Sequence, residues 1–183
     1  MKSALPLPVT ALAIALALAA TPSLAQAGTD DRWELGIRVG GMITDTAFRL
    51  DGSAEVLTLT RSLTPKRAIE LEVGADQLDF GIDYGLRHRT VTVNYLEINP
   101  EPLWDPYFLI GVGVSEFDVP ATISEGRDPM LQLGTGGSWE LIESGALKLR
   151  GDLRFRYDLN DTDQPGQDGW GDAIFTLGLS YRF

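Results

Sequence analysis

Leu147-Lys148-Leu149-Arg150-Gly151-Asp152-Leu153-Arg154-Phe155-Arg156-Tyr157 is the stretch on which the reading of the chain turns. Every even position from 148 to 156 is charged, and every odd position except Gly151 is apolar or aromatic. A helix with 3.6 residues per turn would scatter those charges round its circumference. An extended strand alternates its side chains between two faces. It collects Lys148, Arg150, Asp152, Arg154 and Arg156 on one side and Leu147, Leu149, Leu153, Phe155 and Tyr157 on the other.

The same period recurs on both sides of this stretch. Trp33, Leu35, Ile37 and Val39 alternate with Glu34, Gly36, Arg38 and Gly40. Ile69, Leu71, Val73 and Ala75 alternate with Glu70, Glu72, Gly74 and Asp76. Near the end, Ala173, Phe175, Leu177, Leu179, Tyr181 and Phe183 form one row against Ile174, Thr176, Gly178, Ser180 and Arg182. The pattern predicts eight strands, at 32–43, 55–63, 67–77, 87–97, 106–117, 129–141, 146–157 and 172–183. Proline falls in the connections or at strand starts, as at Pro106 and Pro129, where no ladder hydrogen bond is lost. Short connections (64–66, 99–105, 142–145) alternate with long ones rich in Asp, Gly, Thr and Ser (44–54, 78–86, 118–128, 158–171). Short turns at one rim and long loops at the other are the plan of an up-and-down barrel.

The N-terminal segment reads differently. Met1–Ala27 carries one charge, Lys2, then the apolar run Ala11–Ala20, then small-residue sites ending at Ala25 and Ala27. This order is that of a secretory signal peptide, with cleavage expected after Ala27 or, as the alternative, Ala25. Residues 28–183 are then one domain. The full chain has a net charge of −11, and loss of Lys2 makes the remainder one unit more acidic. An exported acidic domain lacks the basic footprint of a nucleic-acid binder. The absence of cysteine excludes disulfides, thiolate metal sites and an N-terminal lipidated cysteine. A single histidine argues against a His-rich metal site, and neither metal nor cofactor is expected. No segment after the signal reaches the roughly 18 apolar residues of a spanning helix.

Alternation alone also fits a soluble barrel with its apolar rows inside. Charge favours the inverse arrangement. The polar rows hold Glu34, Glu70, Glu72, Asp76, Glu140 and Asp152 against Arg38, Lys148, Arg150, Arg154 and Arg156, six acids against five bases. They also hold many glycines, such as Gly74, Gly134, Gly136 and Gly178, which leave room for long side chains in a narrow interior. Aromatics gather near strand ends, with Trp33, Trp104, Tyr107, Trp139, Tyr181 and Phe183 toward the short-turn rim and Tyr157 and Trp170 toward the other. Membrane–water interfaces favour such rings. The predicted fold is therefore all-β: an eight-stranded antiparallel up-and-down transmembrane β-barrel whose lumen is closed by a charge network.

Gly178-Leu179-Ser180-Tyr181-Arg182-Phe183 resembles the closing strand of bacterial outer-membrane barrels. Arg61–Pro65 followed by Ala68–Gly74 resembles the second hairpin of the OmpA-like barrel family. Asp105-Pro106-Tyr107-Phe108-Leu109-Ile110-Gly111-Val112-Gly113 resembles its fifth strand, and Leu149–Tyr157 its seventh. The resemblance spans essentially all of 32–183. It implies a bacterial outer-membrane protein, monomeric, bounded by outer-membrane lipid and lipopolysaccharide. It also implies an assembly signal in Phe175, Leu177, Leu179, Tyr181 and Phe183, read by the β-barrel assembly machinery. The family's periplasmic peptidoglycan-binding domain has no counterpart, so cell-wall anchoring is not carried over.

The implied role is structural or surface-interactive, in envelope integrity or adhesion, and not enzymatic. Two alternatives stay open: a narrow channel for ions or small solutes, and a lipid-modifying enzyme. The second would centre on His88, with Thr90 as the nearest hydroxyl and Asp79 or Asp83 orienting the ring; the expected setting of His88 is polar surface near a loop. The acidic stretch Asp158–Asp163, with Asp168 and Asp172, lacks the helix-flanked calcium motif and reads as a solvated loop, with weak divalent-cation binding as its alternative. Arg49, Arg87, Arg89 and Arg127 are candidates to meet lipopolysaccharide phosphates.

Overall fold

A computed structural model of the chain describes residues 32–44, 50–79, 85–118, 127–159 and 170–183. The expected signal segment and Arg49, Asp83, Asp161, Asp163 and Asp168 lie outside these residues. Eight strands are present: β1 (Trp33–Thr44), β2 (Leu50–Thr64), β3 (Arg67–Asp79), β4 (Gly85–Ile98), β5 (Asp105–Asp118), β6 (Arg127–Glu140), β7 (Leu147–Asp158) and β8 (Trp170–Arg182). Each pairs antiparallel with its neighbour in sequence, and β8 returns to pair with β1, so the sheet closes into a barrel. At the seam, Phe183 N–H donates to the Trp33 carbonyl at 2.9 Å and Trp33 N–H to the Phe183 carbonyl at 3.3 Å. Closure removes the unpaired edges that neither water nor lipid should meet.

The expected strands agree with the observed ones to within one residue at the short-turn rim. At the long-loop rim every strand is longer than expected, most of all β2, which begins at Leu50 and not at Glu55. The cause is physical. Beyond the apolar zone the outer face no longer needs apolar side chains, so Asp51, Gly52 and Ser53 lack the alternation although their backbone stays in the ladder, with Gly52 paired to Met42 and to Leu78. Pro129 likewise falls inside β6. Its carbonyl receives Leu159 N–H at 2.8 Å, and the β6–β7 ladder starts only at Met130, so its missing N–H lies beyond the ladder's end.

The two faces divide as the alternation requires. Outside stand Ile37, Val39, Leu71, Val91, Val93, Ile110, Val112, Leu131, Leu133, Leu153, Phe155, Leu177 and Leu179, and Phe108 is 72% exposed. Inside are Arg38, Glu70, Glu72, Asp76, Asp152, Arg154 and Arg156, none more than 7% exposed. A water-soluble barrel has the opposite polarity. A continuous apolar exterior round a charged interior is the arrangement of a barrel that crosses a bilayer. At the short-turn end Trp104 stacks on Trp139 at 5.4 Å, Tyr181 on Phe183 at 6.5 Å, and Arg61 lies over the Trp33 ring at 5.5 Å. Amphipathic rings and a cation belong at such an interface.

Glycines make the interior possible. A Cβ on Gly134 would stand 2.8 Å from the Leu153 carbonyl oxygen and 3.1 Å from Arg154 Cγ, and one on Gly74 would meet the Thr90 hydroxyl and lie 3.3 Å from an Arg156 Nη atom. At the β1–β8 seam a Cβ on Gly178 would collide with the Ile37 carbonyl and lie 2.5 Å from Arg38 Cα. We expect Gly178→Ala to destabilise the refolded barrel by about 1–3 kcal/mol through overpacking, read from urea unfolding in detergent. Gly151→Ala should cost less, because its Cβ meets nothing nearer than the Leu177 side chain at 3.3 Å.

Candidate functional site

The lumen is built in layers because inward side chains recur every second residue on eight staggered strands. At the short-turn mouth lies a vestibule of about 310 Å³, lined by Glu34, Asp105, Glu140, Lys148 and Arg182 and floored by Tyr107 and Arg150. Lys148 Nζ donates to Asp105 at 2.8 Å, and Arg182 approaches Glu34 at 4.0 Å. Glu140 is exposed. The sequence places Glu34, Glu140 and Lys148 in the lumen network; they line its mouth, with Lys148 buried and paired and Glu140 open to the outside, because the terminal inward positions of a strand lie near the opening.

Above the vestibule the lumen is filled. Glu70 accepts from Arg150 at 2.6 Å and Arg154 at 3.1 Å, with Thr60 and Asn94 donating at 3.1 and 3.4 Å. Asp152 accepts from Arg38 at 2.5 Å, Arg154 at 2.6 Å and Thr176 at 3.0 Å. Arg154 also pairs with Glu72, which takes Arg38 at 3.2 Å and Arg156 at 3.3 Å. Arg156 continues to Asp76 at 2.5 Å and to the Gln132 amide oxygen at 3.0 Å. Four buried acids (Glu70, Glu72, Asp76, Asp152) thus meet four buried arginines (Arg38, Arg150, Arg154, Arg156). This balance is what permits burial, since an ion taken from water is tolerated only with counter-charge and hydrogen bonds together.

Tyr107 belongs to this network and not to the aromatic rim. Its hydroxyl donates to Asp152 at 2.8 Å, accepts from Arg150 Nε at 2.8 Å, and its ring underlies the Arg150 guanidinium at 4.7 Å. It shares the inward row of β5 with Leu109, Gly111 and Ser115, while Phe108 and Ile110 face out. Parity with the glycines was the available signal, and the residue type masked it. Asn94 and Gln132 are further members, joined at 3.0 Å; neutral amides at inward positions carry no charge pattern to reveal them.

The uppermost described layer holds His88. It is fully buried in the lumen, not on polar surface. The side chains of Asp79 and Asp83, expected to orient its ring, lie outside the described residues. His88 Nδ1 lies 3.4 Å from Asp76 and its Nε2 3.4 Å from Asp158. Asp172 joins them, so that one ligating atom each from His88, Asp158 and Asp172 lies within 4.8 Å of the others. Thr90, on the same face, is buried beneath. Arg87, Arg89 and Arg127 point outward near the long-loop rim, where Arg127 meets Glu116 at 3.6 Å.

No protein-family model matches the chain, and no curated protein matches its sequence. Solved structures do match. Neisserial surface protein A (NspA) has a TM-score of 0.65 at 10% identity, covering 86% of this chain and 100% of its own. The N-terminal β-barrel domain of Pseudomonas aeruginosa OprF has a TM-score of 0.54 at 16% identity, covering 82% of this chain and 97% of its own. The fold is that of the small OmpA-like outer-membrane barrels. PagL, an outer membrane enzyme, shares this OmpA-like barrel fold, with a TM-score of 0.51 at 13% identity over 81% of this chain and 98% of its own. Identities this low carry the fold and not the role: a surface protein and an enzyme are built on the same barrel.

Proposed function

We propose that the protein is a plugged barrel of the bacterial outer membrane, exported by a cleaved signal peptide, with a structural and surface-interacting role in envelope integrity or adhesion. The observation that carries this reading is the neutral network of four arginines and four acids filling the lumen from Arg150 to Arg156. A lumen packed with mutually paired ions spends its polar groups on holding the wall together. Contacts then fall to the outside: the apolar belt for lipid, and the connections 45–49, 80–84, 119–126 and 160–169 for partners beyond the membrane. Arg87, Arg89 and Arg127, exposed near the long-loop rim, are the candidates to meet lipopolysaccharide phosphates. The outward row Phe175, Leu177, Leu179, Tyr181 and Phe183 is the surface offered to the assembly machinery, on the strength of the resemblance.

The vestibule of about 310 Å³ gives a channel its one point of support, since it leads to the network from one mouth. The lipid-modifying alternative loses the residue it rested on, because His88 faces the lumen and an acyl substrate would meet the outer face. Planar-bilayer recording of the purified barrel tests the reading. We expect no steady conductance from the wild type, and openings after Arg154→Ala, which removes the cation touching three carboxylates. Steady single-channel currents from the wild type would replace the plugged barrel with a channel.

A further inference from the structure

We infer that the long-loop end of the lumen is a binding site for a first-row divalent metal ion, with zinc the best-suited, held by His88 Nε2, Asp158 and Asp172. The layer differs from the one below it in composition: the network beneath is built from carboxylates and guanidinium groups, whereas here an imidazole and two carboxylates bring their ligating atoms together. Asp158 is 0% exposed with both carboxylate oxygens buried, and the donors that bear on them are the His88 ring and the Ser115 hydroxyl on β5. The Thr90 hydroxyl on β4 is buried without a hydrogen bond. A buried carboxylate with so few donors is costly unless a cation joins it.

The histidine points the same way. A neutral imidazole has one N–H donor and one lone pair. Both ring nitrogens of His88 face carboxylates at 3.4 Å, so in either tautomer a lone pair would meet an anion. A cation on one side removes that repulsion. Asp76 is already held by Arg156 at 2.5 Å, which leaves it to receive Nδ1–H and turns Nε2 toward Asp158. A carboxylate behind the ring of a metal-binding histidine is the usual supporting arrangement, fixing tautomer and orientation. The spacing also fits. Tetrahedral zinc with bonds of about 2.1 Å sets its donors about 3.4 Å apart, the distance from His88 Nε2 to Asp158 Oδ2. All three ligating atoms lie within 4.8 Å of one another, a spread that rotation of an aspartate side chain would close on a bound ion. One imidazole nitrogen with two carboxylates selects zinc and its neighbours over calcium and magnesium, which prefer all-oxygen sets. The sequence argued against a site rich in histidine; this donor set needs only one.

The test is calorimetric titration of zinc chloride into the tag-free barrel, refolded in detergent and freed of metal by chelator. Heat-modifiable gel migration shows that each variant is folded. We expect one zinc per barrel for the wild type, a higher unfolding temperature with zinc present, and much weaker calcium binding. His88→Ala and Asp158→Asn should both lose the stoichiometric site and the thermal shift, and Asp76→Asn should weaken it by about 10–100-fold. A folded wild type that takes up no zinc overturns the inference. Undiminished zinc binding by folded His88→Ala overturns it equally, and moves the ion to the acidic loops.

Discussion

Glu70→Ala is expected to destabilise the folded barrel by about 3–5 kcal/mol, the cost of leaving a buried cation without its partner. Glu70 is fully buried and touches Arg150 at 2.6 Å, Arg154 at 3.1 Å and Arg38 at 3.9 Å, so its loss converts a neutral layer into one with excess positive charge. The wall cannot relieve this by exposing the arginines, because their backbones are locked in the ladder. Arg150→Ala should be costly in turn, since it strips Glu70 of its shortest ion pair. The double variant should cost less than the sum of the two, with a coupling of about 0.5–3 kcal/mol. Urea unfolding of all four proteins in one detergent measures the cycle. Coupling near zero would mean that water reaches these groups, and a hydrated lumen favours the channel over the plug.

The second large effect lies on the outer face of β7, the strand whose inner face carries Arg150. Leu153 is midway along β7, 40% exposed, with Thr135 and Phe175 as its cross-strand neighbours. Leu153→Arg is expected to cost about 2–4 kcal/mol in a bilayer, the penalty for a guanidinium near the midplane of a lipid-facing wall. Tyr181→Arg, at the short-turn end of the outward row on β8, should cost about 0–1 kcal/mol, because an arginine there reaches the interface. Refolding equilibria in liposomes compare them. If the two substitutions cost the same, the apolar belt does not face lipid and the barrel's polarity has been read the wrong way round.

Both effects issue from a period of two, and that period is what the sequence determined. It gave the eight strands, their order, the short-turn boundaries and the division into a charged face and an apolar one, because each of these depends only on neighbours along one strand. It also placed Glu70, Glu72, Asp76, Asp152 and the arginines on the inner face. It did not give the long-loop ends of the strands, where hydrogen bonding continues after the apolar requirement has lapsed. Who meets whom across the lumen was decided by closure. Arg38 of β1 reaches Asp152 of β7, and Arg154 of β7 reaches Glu70 and Glu72 of β3, residues brought together by the stagger and tilt of the whole barrel. Tyr107 entered the network, and Glu34 and Glu140 came to line its mouth, for the same reason: height along the barrel axis is a property of the closed sheet. His88 shows the limit most plainly. Its strand and its face can be read from the alternation, but its neighbours Asp76, Asp158 and Asp172 come from three other strands, and only the closed barrel sets them round one imidazole.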